Sequence, residues 1–223
     1  MVSHRVGVCR LTAGVCVLFL IAATTAFGAG KPAKLKSTPQ GEPLHYYNGD
    51  MRVDVVLSLD EFVVAPPATK GVAPLAIKAL IPSATTRSAG APGDLHVKLA
   101  APANNRAALE QQAKTLADAG YTVEPVLFDS SVRTPSDENR QTLTNQFSLK
   151  LKPGATIEQV SSTYGVSVVS EISFSPDTYI VQTTGKGLLG SLETANALYE
   201  SGLVVFATPL IERKMSKRLV PND

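Results

Sequence analysis

Between residues 145 and 211 the apolar residues switch between two spacings, and this switching constrains the fold more than any other feature of the chain. Phe147, Leu149 and Leu151 alternate with Ser148, Lys150 and Lys152, the period of a strand with one buried face. Pro153 and Gly154 turn the chain, and Thr156 with Gln159 has the spacing of a capping box. Ile157, Val160 and Tyr164 then recur at helical spacing until Gly165 stops them. Residues 166–174 and 179–183 are rich in β-branched side chains, and Ser175, Pro176 and Asp177 between them make a hairpin turn. Leu188, Leu192, Ala195 and Tyr199 line a second helix closed by Gly202, and residues 203–211 are the last strand. The predicted order is βαββαβ.

That order predicts an α+β fold, a ferredoxin-like sandwich of one four-stranded sheet with two helices on one face. Its ending recurs upstream: Ala113, Leu116, Asp118, Gly120 and Val123 match Ala195, Leu198, Glu200, Gly202 and Val205 at an offset of 82, and Phe62 stands 85 before Phe147. Ahead of this repeat, Asn48-Gly49 between residues 44–47 and 51–57 predicts a hairpin. A strand at 61–65 ends at Pro66 and Pro67, and 68–92 is rich in Pro, Ala and Ser, with a helical turn or two at 75–81. A strand at 95–99 leads to a helix capped by Asn104 or Asn105, with Leu109, Ala113, Leu116 and Ala117 on one stripe and Gly120 past its end; a strand at 121–128 follows. The expected organisation is two ferredoxin-like units in tandem, the first degenerate: residues 44–130, a polar linker at 131–143 containing Pro135, and residues 144–214, followed by an extended tail at 215–223.

The amino terminus carries Arg5 and Arg10, then a largely apolar run over 11–27, then small residues at Ala26, Gly28, Ala29 and Gly30. This is the anatomy of a secretory signal, so residues 1–28 are expected to direct export, with a flexible leader at 29–43. A membrane anchor fits less well, because Thr24 and Thr25 interrupt a run that spans of this kind need over about 20 residues. Both cysteines, Cys9 and Cys16, lie in the part removed, which leaves a secreted or periplasmic protein without thiol or disulfide. The same cut removes two arginines and no acid, so the 21 basic residues fall to 19 against 19 acidic ones. The slight formal basicity therefore implies no nucleic acid, and no membrane is expected to hold the exported chain.

Chemistry is sparse. His45 and His96 are the histidines outside the signal, and neither stands in a catalytic or zinc-binding context; both read as surface or satisfied structural residues. Residues 183–187 (TTGKG) lack the first Gly and the following Ser or Thr of a phosphate loop and read as a turn entering a helix. No cofactor, metal or catalytic residue is expected. What remains is contact with another protein, through the sheet face left bare of helices and through the tail.

The stretches NQFSLKLKPGATIEQVSSTYGVSVVSE, TYIVQTT, ANALYESGLVVFATPLIER and VPND, with the earlier HYYNGDMRVDVVLSLDEFVVAPP, resemble the propeptides of secreted bacterial subtilisin-like serine peptidases, of the fervidolysin-like prodomain kind. The resemblance covers residues 44–223 and is strongest over 145–223. It implies a propeptide whose sheet packs on surface helices of the peptidase catalytic domain and whose tail fills the substrate cleft, assisting folding and inhibiting. The family's Pro-Asn pair near the end of the last strand is Pro209-Leu210 here. No motif of the family's catalytic Asp, His and Ser occurs, so the resemblance implies a propeptide module without enzyme activity. The implied partner interface comprises Lys150, Asp177, Lys214, Met215, Lys217, Arg218, Leu219 and Val220. The alternative is a secreted binding module using the same fold for an unrelated partner.

Overall fold

In a computed structural model that describes residues 41–66, 74–89 and 93–213, nine strands and four helices of the described residues form a mixed α+β fold around one antiparallel sheet. The first half runs β1 (Gly41–Asn48), β2 (Met51–Ala65), α1 (Pro74–Leu80), β3 (Thr85–Ser88), β4 (Leu95–Lys98), α2 (Arg106–Asp118) and β5 (Thr122–Asp129). The second runs β6 (Arg140–Leu151), α3 (Ile157–Tyr164), β7 (Val166–Glu171), β8 (Thr178–Thr183), α4 (Gly190–Ser201) and β9 (Val204–Arg213).

The strands follow the order β3-β4-β2-β5-β6-β8-β7, with β1 beside β2 and β9 beside β6. Each half therefore contains the same quartet. Its first long strand (β2 or β6) lies between the half's last strand (β5 or β9) and its third (β4 or β8), and the second (β3 or β7) is outermost. The correspondence reaches single residues. Phe62 stands opposite Pro125 on β5, and Phe147 stands opposite Pro209 on β9. Both prolines lie where their strand is paired on one side only, the place a residue without an N–H is tolerated.

Period-two alternation sends Phe62, Val64, Val97 and Leu127 to one face of the first half, where they meet Ile77 of α1 and Leu109 and Leu116 of α2. The same face of the second half carries Phe147, Leu149, Leu151 and Val181, packed on Val160 of α3 and on Ala195 and Leu198 of α4. Asn105 caps α2 by accepting from Ala108 N at 3.0 Å, and Thr156 caps α3 by accepting from Gln159 N at 3.2 Å. The halves are joined through β6, whose start pairs with β5 on one side and with β9 on the other. The β1–β2 hairpin also leans on α4: Tyr47 stacks on Tyr199 with ring centroids 4.3 Å apart, and Asn196 Nδ2 donates to the His45 carbonyl at 2.8 Å.

Several expectations are corrected in detail. Asn48 pairs with Met51, so the hairpin loop is Gly49-Asp50 rather than Asn48-Gly49. Gly49 has φ 60 and occupies the first central position, where a two-residue turn needs a residue without Cβ. The strands expected at 51–57 and 61–65 are one strand, β2, whose pairing with β5 slips between Leu57 and Phe62. β3 occupies a stretch read as irregular; its short run of Thr and Ser has no apolar alternation, and pairing with β4 holds it extended. Residues 41–43, expected in the leader, belong to β1, and residues 140–143, expected at the end of the linker, begin β6. The signal at 1–28, the leader up to residue 40, residues 67–73 and 90–92, and the tail from 214 lie outside the described residues. Among the described residues no helix is long and apolar enough to cross a membrane.

Candidate functional site

The sheet face opposite the helices differs between the halves. In the second half it carries Gln146, Ser148 and Lys150 of β6, Ile180 and Gln182 of β8, and Phe206 and Thr208 of β9, all half-buried. Register places Ser148 between Ile180 and Thr208, and Lys150 between Thr178 and Phe206. None of these side chains belongs to the packed core beneath the helices. Small polar groups around two apolar ones make a flat surface that a partner can cover at low desolvation cost.

Lys150 and Asp177 lie on neighbouring backbone at one end of this face: Lys150 is opposite Thr178, and Leu151 N donates to the Asp177 carbonyl at 2.9 Å. Asp177 has φ 59, the one positive value at a non-glycine residue among the described residues, in a left-handed conformation that Asp tolerates better than most. Next to it Phe174 is 89% exposed. The other expected interface residues, Lys214, Met215, Lys217, Arg218, Leu219 and Val220, lie outside the described residues.

In the first half the equivalent face is closed. Glu61, His96, Val63, Val126 and Phe128 are buried there. Glu61 Oε2 receives His96 Nε2 at 2.6 Å and Arg140 Nε at 2.7 Å, while Arg87 Nε donates to His96 Nδ1 at 3.1 Å. Asp137 then closes the chain: it takes two hydrogen bonds from Arg87, at 2.6 and 3.0 Å, and a third from Arg140. Burial pushes the Glu61 carboxyl up, but the hydrogen bonds from His96 and Arg140 outweigh it and hold its pKa at about 2. Asp137 is also lowered, first by its bond from Arg140. The buried charges are thus paired and hydrogen-bonded, the condition for burying them at all.

A cleft of about 520 Å³ lies over this network, bordered by Val63, Arg87, His96, Arg140, Glu212 and Arg213. Nearby, burial and then the charges of Glu212 and Asp94 push Glu124 up to about 7. Both ring nitrogens of His96 are engaged beneath the cleft, Nδ1 with Arg87 Nε and Nε2 with Glu61 Oε2. His96 is a satisfied buried histidine. Among the described residues no group of three or more His, Cys, Asp or Glu side chains could hold a metal ion. In the loop resembling a phosphate loop, Lys186 Nζ donates to Thr194 Oγ1 of α4 at 2.9 Å, as suits a turn entering a helix.

The sequence reading missed the Glu61 network because its members are scattered: Glu61 and Arg140 are 79 residues apart, and Asp137 and Arg140 look like linker. The one available signal was Glu61 itself, a carboxylate inside an otherwise apolar strand end. No family model matches this chain, and no curated protein matches it.

Proposed function

We propose that this chain is a secreted propeptide-like module that docks on a subtilisin-like serine peptidase, assisting its folding and inhibiting it, and is itself no peptidase. In this reading it consists of two ferredoxin-like units, the first degenerate, and residues 1–28 direct its export. The observation that carries the reading is the bare face of the β9-β6-β8-β7 quartet, which has helices on one side and half-buried Ser148, Lys150, Ile180, Phe206 and Thr208 on the other. A βαββαβ unit of this strand order has a whole sheet face available for a partner. Two further features support it. β9 precedes the tail in the chain, and β3 and β4 of the first half have four residues each where β7 and β8 have six, as a degenerate copy would.

In this mechanism the docked sheet tethers the tail at an effective concentration of roughly millimolar. An extended tail then adds main-chain hydrogen bonds along the cleft while alternate side chains enter pockets. Titrating a subtilisin-like peptidase with the exported protein, with a form ending at Arg213, and with a peptide of residues 214–223 tests the reading. Inhibition by the whole protein that is much weaker with either part supports it. Equal potency with and without the tail defeats the tail mechanism, and absence of binding to any such peptidase defeats the reading. Tight binding to a protein that is not a peptidase would favour the alternative binding module.

A further inference from the structure

Phe174 lies in the connection between β7 and β8 and is 89% exposed. An aromatic ring left in water forgoes the burial that Phe147 and Phe62 obtain. A floppy loop could hide such a ring part of the time, but this connection is fixed from within. Ile172 N donates to the Thr178 carbonyl at 2.8 Å, Ser175 N to the Ile172 carbonyl at 2.9 Å, and Thr178 N to the Ser175 carbonyl at 3.2 Å. The Ser175 and Thr178 hydroxyls lie 2.8 Å apart, and the Asp177 carbonyl is tied to Leu151 N at the end of β6. Asp177 is held at φ 59 within this web, and unusual backbone conformations persist where the surroundings over-determine them. The fold therefore spends hydrogen bonds on presenting an aromatic side chain outward.

Charge on either side of Phe174 along the chain narrows the choice of occupant. Glu171 and Asp177 flank Phe174 along the chain, and with Glu158 they act on the Tyr179 hydroxyl, whose pKa is raised first by desolvation and then by these three carboxylates. Carboxylates at both ends of the connection disfavour an anionic lipid surface and favour a partner with a basic rim. We infer that Phe174 is a pre-organised anchor that inserts into an apolar pocket on the partner protein, with basic groups at the pocket rim facing Glu171 and Asp177. This inference rests on the docking function proposed above and adds a specific anchor to it. Rigid aromatic groups are where interface energy concentrates, and a fixed turn avoids the ordering cost that a mobile loop would incur on binding.

The test measures inhibition of a subtilisin-like peptidase by the exported protein and by its Phe174→Ser, Phe174→Leu and Phe174→Tyr forms. Circular dichroism checks that each is folded, as an exposed position predicts. Weakening of about 30-fold or more for Ser, largely restored by Tyr and partly by Leu, is the expected result. A Ser form as potent as the original protein overturns the anchor and leaves the docking function standing. No inhibition or binding by the original protein overturns both. Sedimentation of the original protein with zwitterionic or anionic vesicles that is lost in the Ser form would assign the ring to lipid and overturn the inference.

Discussion

The two halves place corresponding strands in the same order, yet corresponding positions on the face away from the helices carry different chemistry. Aligned on Phe62 and Phe147, Glu61 corresponds to Gln146 and Val63 to Ser148. Across the neighbouring ladder, Lys98 and His96 correspond to Gln182 and Ile180. Where the first half has a carboxylate, an imidazole, an ammonium and one aliphatic side chain, the second has two amides, a hydroxyl and one aliphatic side chain. The first face is sealed by Arg87, Asp137 and Arg140, and the second stays half-open. One architecture thus serves two ends: buried charges that must be paired lock a face to its own chain, whereas mostly neutral groups, with the unburied charge of Lys150 at one end, leave the other available.

The largest effects should come from what the halves share. Phe62→Ala and Phe147→Ala each remove a fully buried ring and should each cost about 3–5 kcal/mol. Because β6 pairs with strands of both halves, each substitution should lower the midpoint of one common unfolding transition followed by circular dichroism in denaturant. Two separated transitions, each sensitive to only one of the substitutions, would mean that the halves are energetically independent.

The next effect should separate the halves. Glu61→Ala leaves buried His96 without its carboxylate and Arg140 with Asp137 as its one acidic partner, and should cost about 3–5 kcal/mol, whereas Gln146→Ala on the half-open face should stay within about 0.5 kcal/mol. The Glu61 carboxyl, held at about 2 against its ordinary value of 4.5, should contribute on the order of 3 kcal/mol. That contribution is complete above pH 4.5 and is lost as pH falls toward 2. Denaturant titrations between pH 6 and 2 should show the fall in the original protein and its absence in Glu61→Gln. Equal pH slopes would mean that the network seals nothing.

Glu124 has the opposite sign. Its pKa of about 7 in the fold against an ordinary 4.5 means that folding takes up a proton, so the carboxylate opposes the fold above pH 7 and the penalty fades as pH falls toward 4.5. Glu124→Gln should raise stability at pH 8 by about 1–2 kcal/mol after allowing for its partial exposure. The gain should vanish near pH 4.5, and a gain unchanged with pH would point to packing instead of charge.

How much of this was legible in the sequence follows from which forces are local. Phe147 to Leu151, the Thr156 cap, Gly165 and Gly202 write their structure into neighbouring residues, and the two helices of the second half lie where the pattern put them, whereas the strand expected over 166–174 ends at Glu171. β3 was illegible because Thr85 to Ser88 has no period of its own and is extended by pairing with β4. Residues 140–143 looked like linker because Arg140, Gln141 and Thr142 are polar; they are strand because β5 and β9 flank them. Of the residues expected at a partner interface, Lys150 and Asp177 are the two within the described residues, and they lie at one end of the open face. The exposure of Phe174 was not legible in the chain, since the pattern 166–174 reads as strand and only the hydrogen-bonded turn lifts the ring out.

The smallest effect probes the difference between the faces most directly. Gln146→Glu with Gln182→Lys copies onto the second half the pair that Glu61 and Lys98 make across the first, where Lys98 Nζ lies 3.7 Å from Glu61 Oε1. The copied pair faces solvent and has no counterpart of His96 or Arg140 to hold its carboxylate. A double-mutant cycle should therefore return a coupling of only about 0.2–1 kcal/mol, reduced further by salt. The same cycle on Glu61 and Arg140 should return a coupling several times larger that resists salt, because that pair is shielded from water. If the two couplings proved alike, the closed and open faces would differ in composition alone, and openness could no longer be the reason a partner chooses the second half.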